Sequence, residues 1–319
     1  LEQAAPLVKR RSPDIRTRTI AATKTVNLSS PDRVLFPEDG ITKGDVFAYY
    51  ERVGPTLVPH LRDRPFTMKR YPHGITGEVF FQKQAPKHMP DWIPTRQFRT
   101  WRREGGSRLV DFALVNSTEA VLFMVQNNCI DMNAWYSRVD KPHRPDFVLF
   151  DLDPPDGGFE LAIEVAHLIR ELLDEVGLPG YVKTSGADGI HVVAPIARRA
   201  SFEQTYAFAE KASRLLEQRH PGKVTTEWLK KKRQGVLVDH RQNGWGKTIA
   251  SVYSVRPKPG APVSTPLRWE ELRPDVRPRD FTMQVALERI DQHGDLFAPV
   301  LEDPLPLSSA AKALDRLYH

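Results

Sequence analysis

The sequence predicts an α+β chain, and three observations carry that reading. Residues 147–150 form an unbroken apolar run, Phe-Val-Leu-Phe, as a strand buried on both faces requires. An amphipathic helix follows, with Leu161, Val165, Ile169, Leu172, Leu173 and Val176 on one stripe and Gly177 as its stop. From residue 147 to about 256 the order of elements reads β-α-β-β-α-β, which resembles a split βαβ unit.

The elements can be justified in order. Thr42-Lys43-Gly44-Asp45 is a capped helix start, and Val46, Tyr49, Tyr50 and Val53 continue it at helical spacing until Gly54-Pro55, which is expected to interrupt it. Residues 66–71 and 77–82 read as strands around the turn Pro72-His73-Gly74, and 121–125 and 129–135 are further apolar segments. Residues 181–184 and 190–195 are strands joined by Ser185-Gly186-Ala187-Asp188-Gly189. Ser201-Phe202-Glu203-Gln204 opens a helix to about residue 219. Val236-Leu237-Val238 is a short buried strand ending in Asp239, and 281–292 is a last helix before a proline-rich tail.

Composition narrows the function classes. With 319 residues, 40% hydrophobic and 27% charged, the chain has ample length for a buried core and is not of the disordered class. It contains no run of about 18 apolar residues, so no membrane partner is expected, and no secretion leader is read at its start. Cys129 is the single cysteine, which excludes a disulfide framework and a cysteine zinc site and fits a reducing cytoplasm. The net charge is +6, and its distribution is more informative than its size. One basic run holds Lys9, Arg10, Arg11, Arg16 and Arg18. A second holds Arg96, Arg99, Arg102, Arg103 and Arg108, interleaved with Trp92, Phe98 and Trp101. A third is Lys230, Lys231, Lys232 and Arg233. Each alone reads as a solvated face. Together they favour a phosphate backbone as partner, with aromatic faces for unpaired bases.

Two motifs carry chemistry. Asp151 and Asp153, one residue apart at a strand end, point to the same side and repel unless a cation sits between them. Oxygen ligands suit Mg²⁺ or Mn²⁺. The same run, Asp-Leu-Asp-Pro-Pro-Asp-Gly-Gly, is equally good turn and helix-cap chemistry. Asp239 tips the balance if its strand neighbours the first, because three carboxylates can hold two ions for phosphoryl transfer. The second motif is the hairpin Ser185-Gly186-x-x-Gly189-x-His191. Its glycines and N–H groups can cradle phosphate, with Ser185 and His191 as donors; in isolation it is a plain hairpin, and beside the three acids a triphosphate site is the better account.

These residues resemble the bacterial end-joining polymerases of the ligase D type, within the archaeo-eukaryotic primase superfamily. The resemblance rests on Phe150-Asp151-Leu152-Asp153-Pro154, Thr184-Ser185-Gly186-x-x-Gly189-x-His191, Val238-Asp239-x-x-Gln242-Asn243 and Tyr253-Ser254-Val255-Arg256. Upstream it extends through Leu35-Phe36-Pro37, Thr42-Lys43, Arg64-Pro65, Lys69-Arg70-Tyr71-Pro72 and Phe80-Phe81-x-Lys83, covering about residues 26–271. It implies a primase-like core of two sheets flanked by helices, with an RRM-like unit. The expected organisation is a basic arm at 1–24, a catalytic domain at 25–300 and a tail at 301–319. Within the domain a first subregion spans about 25–146 and a metal-bearing one about 147–273. With no room for a ligase or nuclease module, a stand-alone member is expected.

The resemblance further implies a cytoplasmic, nucleoid-associated nucleotidyltransferase that fills short gaps or extends ends in DNA repair. Asp151, Asp153 and Asp239 would hold two divalent cations, Mn or Mg. Lys69, Ser185, Gly186, His191, Gln242 and Arg256 would contact an NTP or dNTP, with ribonucleotides preferred. Arg33 and Lys43 would grip a downstream 5′-phosphate, and Phe80 and Phe81 would meet the template. The partners implied are DNA with a gap, nick or 3′ overhang, and a separate DNA ligase. Three positions depart from the family pattern: Arg33 stands for a usual Lys, Asp188 for a basic residue, and Asn133 for a His near the nucleotide sugar. Two rivals share parts of the pattern. A metal-dependent phosphodiesterase or nuclease would also use three carboxylates, but it has no need of the triphosphate hairpin. A non-catalytic DNA-end-binding protein would gain by losing those acids.

Overall fold

The computed structural model describes residues 24–101 and 105–318. The basic arm's Lys9, Arg10, Arg11, Arg16 and Arg18 lie outside the described residues, as do Arg102 and Arg103.

In the first half, β1 (Val34–Phe36) pairs with β2 (Ile41–Thr42) and leads into α1 (Lys43–Leu61). Then come β3 (Phe66–Arg70), β4 (Phe80–Gln82), a hairpin of β5 (Thr95–Trp101) and β6 (Ser107–Ala113), α2 (Thr118–Gln126) and β7 (Cys129–Trp135). In the second half are β8 (Phe147–Asp153), α3 (Phe159–Glu175), β9 (Tyr181–Thr184), β10 (Ile190–Pro195), α4 (Phe202–Arg219), β11 (Val224–Thr225) and β12 (Val236–Val238). The chain ends with β13 (Thr248–Ala250), β14 (Pro266–Leu267), α5 (Met283–His293), α6 (Pro299–Glu302) and α7 (Leu307–Leu317).

Two sheets dominate. One has the order β11-β12-β8-β10-β9-β14, the other β13-β7-β3-β4. Inside the first, the unit β8-α3-β9-β10-α4-β12 places its strands in the order β12-β8-β10-β9, the fourth, first, third and second of the unit. That is the split βαβ arrangement. Val148, Phe150, Leu152, Val182, Ile190 and Val192 face one way, into a core shared with α3 and α4. Leu149 and Val193 face the other way and join the core of the second sheet, α1 and α2. Strand β8 is therefore buried on both faces along its apolar stretch. It stays in the sheet through Asp153, past the point where the hydrophobic run stops.

Helix α1 corrects one expectation. Thr42 caps it in a reciprocal box with Asp45, but Gly54-Pro55 does not interrupt it, and Pro55 and Pro59 lie inside. A proline ring in a helix costs roughly 3 kcal/mol. Here the buried face of Val53, Leu57, Val58 and Leu61 holds the helix in place. Gly54 brings it close to α2: a Cβ at this position would stand 2.4 Å from Thr118 Cγ2. Within the expected tail, residues 307–317 form α7, which begins directly after Pro306 and buries Leu307, Ala310 and Leu314 in the α3–α4 core.

The interleaved basic and aromatic run is the β5–β6 hairpin. Phe98 packs on Trp135 at 5.0 Å between ring centroids, and Trp92 is partly buried, so neither ring is free to stack on a base. Trp101 is 75% exposed.

Gly189 fixes how closely the hairpin between β9 and β10 approaches β8: a Cβ there would lie 2.2 Å from the Leu152 carbonyl oxygen. Gly189→Ala is expected to lower the unfolding free energy by about 2 kcal/mol, within the usual range for overpacking. Denaturant titration checks this, and an unchanged midpoint would contradict the close approach.

Candidate active site between the two sheets

Strand register assembles the site. In the six-stranded sheet Asp151 on β8 pairs with His191 on β10, and His191 pairs with Lys183 on β9. Directly opposed residues share a face, so the three form one row across the sheet. Asp153 lies two residues along β8 on the same face and opposite Leu237 of β12. In the second sheet Lys69 opposes Phe81, and Thr67, Asn133 and Ala250 stand in register. A cleft of about 320 Å³ separates the two faces, lined by Asp151, Asp153 and His191 on one side and Thr67, Lys69, Asp131 and Asn133 on the other.

The hairpin closes one end of this cleft. Ser185 Oγ accepts the N–H groups of Ala187 and Gly189, both at 3.1 Å. Those two N–H groups are thus spent on the turn rather than offered to a phosphate, which corrects the expected cradle. The hydroxyl, with its lone pairs engaged, keeps its own proton to donate. Gly186 has φ +69°, and a Cβ there would meet Arg256 Cγ at 2.6 Å. Arg256 donates to the Ser185 carbonyl at 2.5 Å and lines the cleft. The acid at 188 is held by Lys258 at 3.1 Å, so its charge is partly met before any anion arrives.

The three acids meet differently from the sequence picture. The strands do converge: β12 is antiparallel to β8, and the Asp239 N–H donates to the Asp151 carbonyl at 2.8 Å. The Asp239 carboxylate, however, caps the following 3₁₀ turn, accepting from Arg241 N at 3.0 Å and Gln242 Nε2 at 3.4 Å. Neither Asp239 nor Gln242 lines the cleft. Among the described residues no group of three Asp, Glu, His or Cys side chains stands ready to share one ion. Asp151 and Asp153 do suit a divalent cation, because their donors are all oxygen and neither acid is neutralised by a tight ion pair. The Asp239 carboxylate stays outside that pair, engaged with the turn.

Electrostatics agree with that fit. Burial pushes the carboxyl of Asp151 up, against the pull of Lys183 and Arg256. Burial and then Asp151 push Asp153 up. Burial raises Asp239 as well, opposed by its bond from Arg241 N. Burial pushes His191 well down, helped by Lys183 and Arg256, so its imidazole is neutral. His191 Nε2 stands 3.3 Å from Asp151 Oδ1.

A second cluster lies at the far side of the first half. Lys43 is buried and donates to Ser29 O at 3.0 Å and Gln126 Oε1 at 2.9 Å. Burial and nearby Arg33 lower its pKa. Arg33 donates to Pro72 O at 3.2 Å. Phe80 and Phe81 are 46% and 72% exposed, and Phe81 also borders the cleft, with Lys69 Nζ 5.6 Å above its ring.

Sequence reasoning missed Asp131, Lys183 and Thr67. Asp131 is buried and 3.5 Å from Lys69. A lone acid between Ile130 and Met132 in an apolar strand was the available signal. Asn133 donates to the Asp131 carbonyl at 3.2 Å and lines the cleft.

The chain is similar to known proteins of one family. A family model described as "LigD, primase-polymerase domain" matches residues 42–297. The multifunctional non-homologous end joining protein LigD of Mycolicibacterium smegmatis is 32% identical over 282 residues, spanning 87% of this chain and 36% of that protein. The bifunctional non-homologous end joining protein LigD of Bacillus subtilis is 30% identical over 296 residues, spanning 91% of this chain and 47% of that protein. The chain thus spans about a third to a half of these relatives. The solved polymerase domain of Mycobacterium tuberculosis Ligase D in complex with DNA superposes with a TM-score of 0.80 at 30% identity, covering 88% of this chain and all of that one.

The raised carboxyl pKa of Asp153 has a stability consequence. A carboxylate raised in the folded state stabilises it when protonated, and that contribution is lost as pH rises through the raised value. Asp153→Asn is therefore expected to raise the unfolding midpoint at about pH 8 without divalent cations, and the gain should vanish near about pH 4, the unfolded carboxyl value. Thermal melts across pH check this; a variant less stable than wild type at high pH would contradict it.

Proposed function

Because the chain belongs to the LigD primase-polymerase domain family, an archaeo-eukaryotic primase-type fold whose members are DNA-directed nucleotidyltransferases, we propose that its inter-sheet cleft binds a nucleoside triphosphate with divalent cations and adds nucleotides to a primer 3′ end at short gaps or broken ends. The observation that carries this reading is the register that sets Asp151, Asp153 and His191 on one sheet face, with Ser185 at the hairpin beside them and Lys69 across the cleft.

Asp151 and Asp153, joined by Asp239, would hold two Mn²⁺ or Mg²⁺ ions. Such ions lower the pKa of a primer hydroxyl and offset the charge of departing pyrophosphate. The chain's own groups do the rest. Ser185 donates its hydroxyl proton and His191 its Nε2–H to phosphate oxygens. Lys69 and Arg256 supply positive charge where negative charge spreads in the transition state, and both line the cleft. Gly186 leaves room for Arg256 to lie against the hairpin. Gln242, whose side chain bonds the Asp239 carboxylate, would be freed to approach the triphosphate when that carboxylate turns. Thr67 and Asn133 line the second sheet's face, and Asn133 in place of His sets the strength of a ribonucleotide preference. Because Lys258 holds Asp188, the acid at that position does not bar a triphosphate.

Lys43 and Arg33 would receive a downstream 5′-phosphate. Two donors of the buried Lys43 ammonium are committed to Ser29 O and Gln126, and its third would be the one offered to the phosphate. Phe80 and Phe81 offer exposed faces to template bases between that site and the cleft. The substrates are DNA with a gap, nick or 3′ overhang, and the filled product still requires sealing by a ligase. Among the described residues no helix is long and apolar enough to cross a membrane.

The test is single-nucleotide addition on gapped DNA, with NTP or dNTP and Mn²⁺ or Mg²⁺. Addition is expected in wild type and below detection in Asp151→Asn, with DNA binding retained; extension by that variant would remove the metal assignment. Lys43→Ala should weaken binding to 5′-phosphorylated gaps by about tenfold, the worth of one charge-assisted hydrogen bond, and leave unphosphorylated gaps unaffected. An equal loss on both would make Lys43 a general backbone contact.

A further inference from the structure

Lys183 is a lysine in the interior of a sheet, 2% exposed, between Val182 and Thr184, both also buried. An ammonium so placed is costly unless every donor is satisfied. Its Nζ lies 2.6 Å from His191 Nδ1, 2.7 Å from Ser264 Oγ and 3.2 Å from the Ala250 carbonyl. Ser264 Oγ donates its own hydrogen to the Thr184 carbonyl at 2.8 Å, so it accepts from Lys183. The Ala250 carbonyl can only accept. An ammonium has three hydrogens and no lone pair, so with those two taken the third goes to Nδ1, and the ring proton sits on Nε2, 3.3 Å from Asp151 Oδ1. Burial and Arg256 push the lysine's pKa well down while Asp151 pulls it up, so the three acceptors are what hold the ammonium. The three acceptors come from β10, from β13 in the opposite sheet and from the segment before β14.

We propose that Lys183 is a positioning residue. Its ammonium holds His191 in the Nε2–H tautomer and fixes the ring plane, so that the one N–H of His191 points into the cleft. The same ammonium ties the ring to Ala250 of the facing sheet and so sets the ring's height in the cleft. This rests on the reading of the cleft as a triphosphate site, since the N–H that Lys183 orients is the one offered to a phosphate oxygen. A bolt between sheets with no bearing on His191 is the competing role.

The experiment uses the full chain labelled with ¹⁵N-histidine. Long-range ¹H–¹⁵N correlation reads both ring nitrogens of His191, identified by the signals missing from His191→Gln. The expected spectrum has Nδ1 unprotonated and Nε2 protonated, with Nδ1 shifting toward a free lone pair in Lys183→Met. Nδ1 protonated in wild type would overturn the proposal, and this spectrum decides even if Lys183→Met does not fold. In single-nucleotide addition, Lys183→Met should lower kcat/KM by about tenfold, the loss expected when one hydrogen bond to a charged group is removed. The double variant Lys183→Met/His191→Ala should be no worse than His191→Ala alone, because the lysine acts through the ring. Losses that multiply would assign Lys183 the bolt role. A wild type with the expected tautomer but no nucleotide addition would refute the polymerase reading and leave the tautomer lock standing.

Discussion

Strand β8 is the constraint on which the site depends. Its antiparallel register with β10 sets Asp151 against His191, and its register with β12 sets Asp153 against Leu237 and brings the Asp239 backbone onto Asp151. A slip of one residue in either pairing would turn every carboxylate toward the α3–α4 core. That slip is opposed by burial on both faces of β8, where Phe150 and Leu152 enter one core and Leu149 the other. The apolar half of the strand thus fixes where the acidic half ends up.

The acidic half works against stability. Burial raises all three carboxyl pKa values, Asp151 pushes Asp153 and Asp239 further up, and Arg233 opposes the rise at Asp153. The neighbouring residues show how the fold tolerates this. Lys183 and Arg256 act on Asp151 from one side, and the Asp239 carboxylate is drawn off to cap a turn. The carboxylate that caps the turn at residues 240–242 is thereby kept out of the cleft.

Much of this was legible in the sequence where the signal is local. The Thr42–Asp45 cap, the strands at 181–184 and 190–195, the Ser201 box and the split βαβ order follow from short-range patterns of capping, alternation and glycine placement. The proximity of β12 to β8 followed only from the β-α-β-β-α-β order, since the pairing spans more than 80 residues. Pro55 misled because a local breaker signal was outweighed by the buried apolar face of α1, and the prolines at 304 and 306 hid α7, which starts directly after them. Lys183 and Asp131 were missed because a single charge in a strand reads as an outward residue until the second sheet is known to lie over it. The direction of the Asp239 side chain was not legible at all, because a carboxylate after a strand is equally good as an ion ligand and as a turn cap.

A structure determined with Mn²⁺ and a non-hydrolysable nucleoside triphosphate, using anomalous scattering to locate the metal, tests the central claim most directly. The account predicts two manganese ions between Asp151 and Asp153, with the Asp239 carboxylate rotated off Arg241 N to join them and the triphosphate against Ser185 and His191. Manganese bound elsewhere, or Asp239 still capping its turn with nucleotide in place, would contradict it.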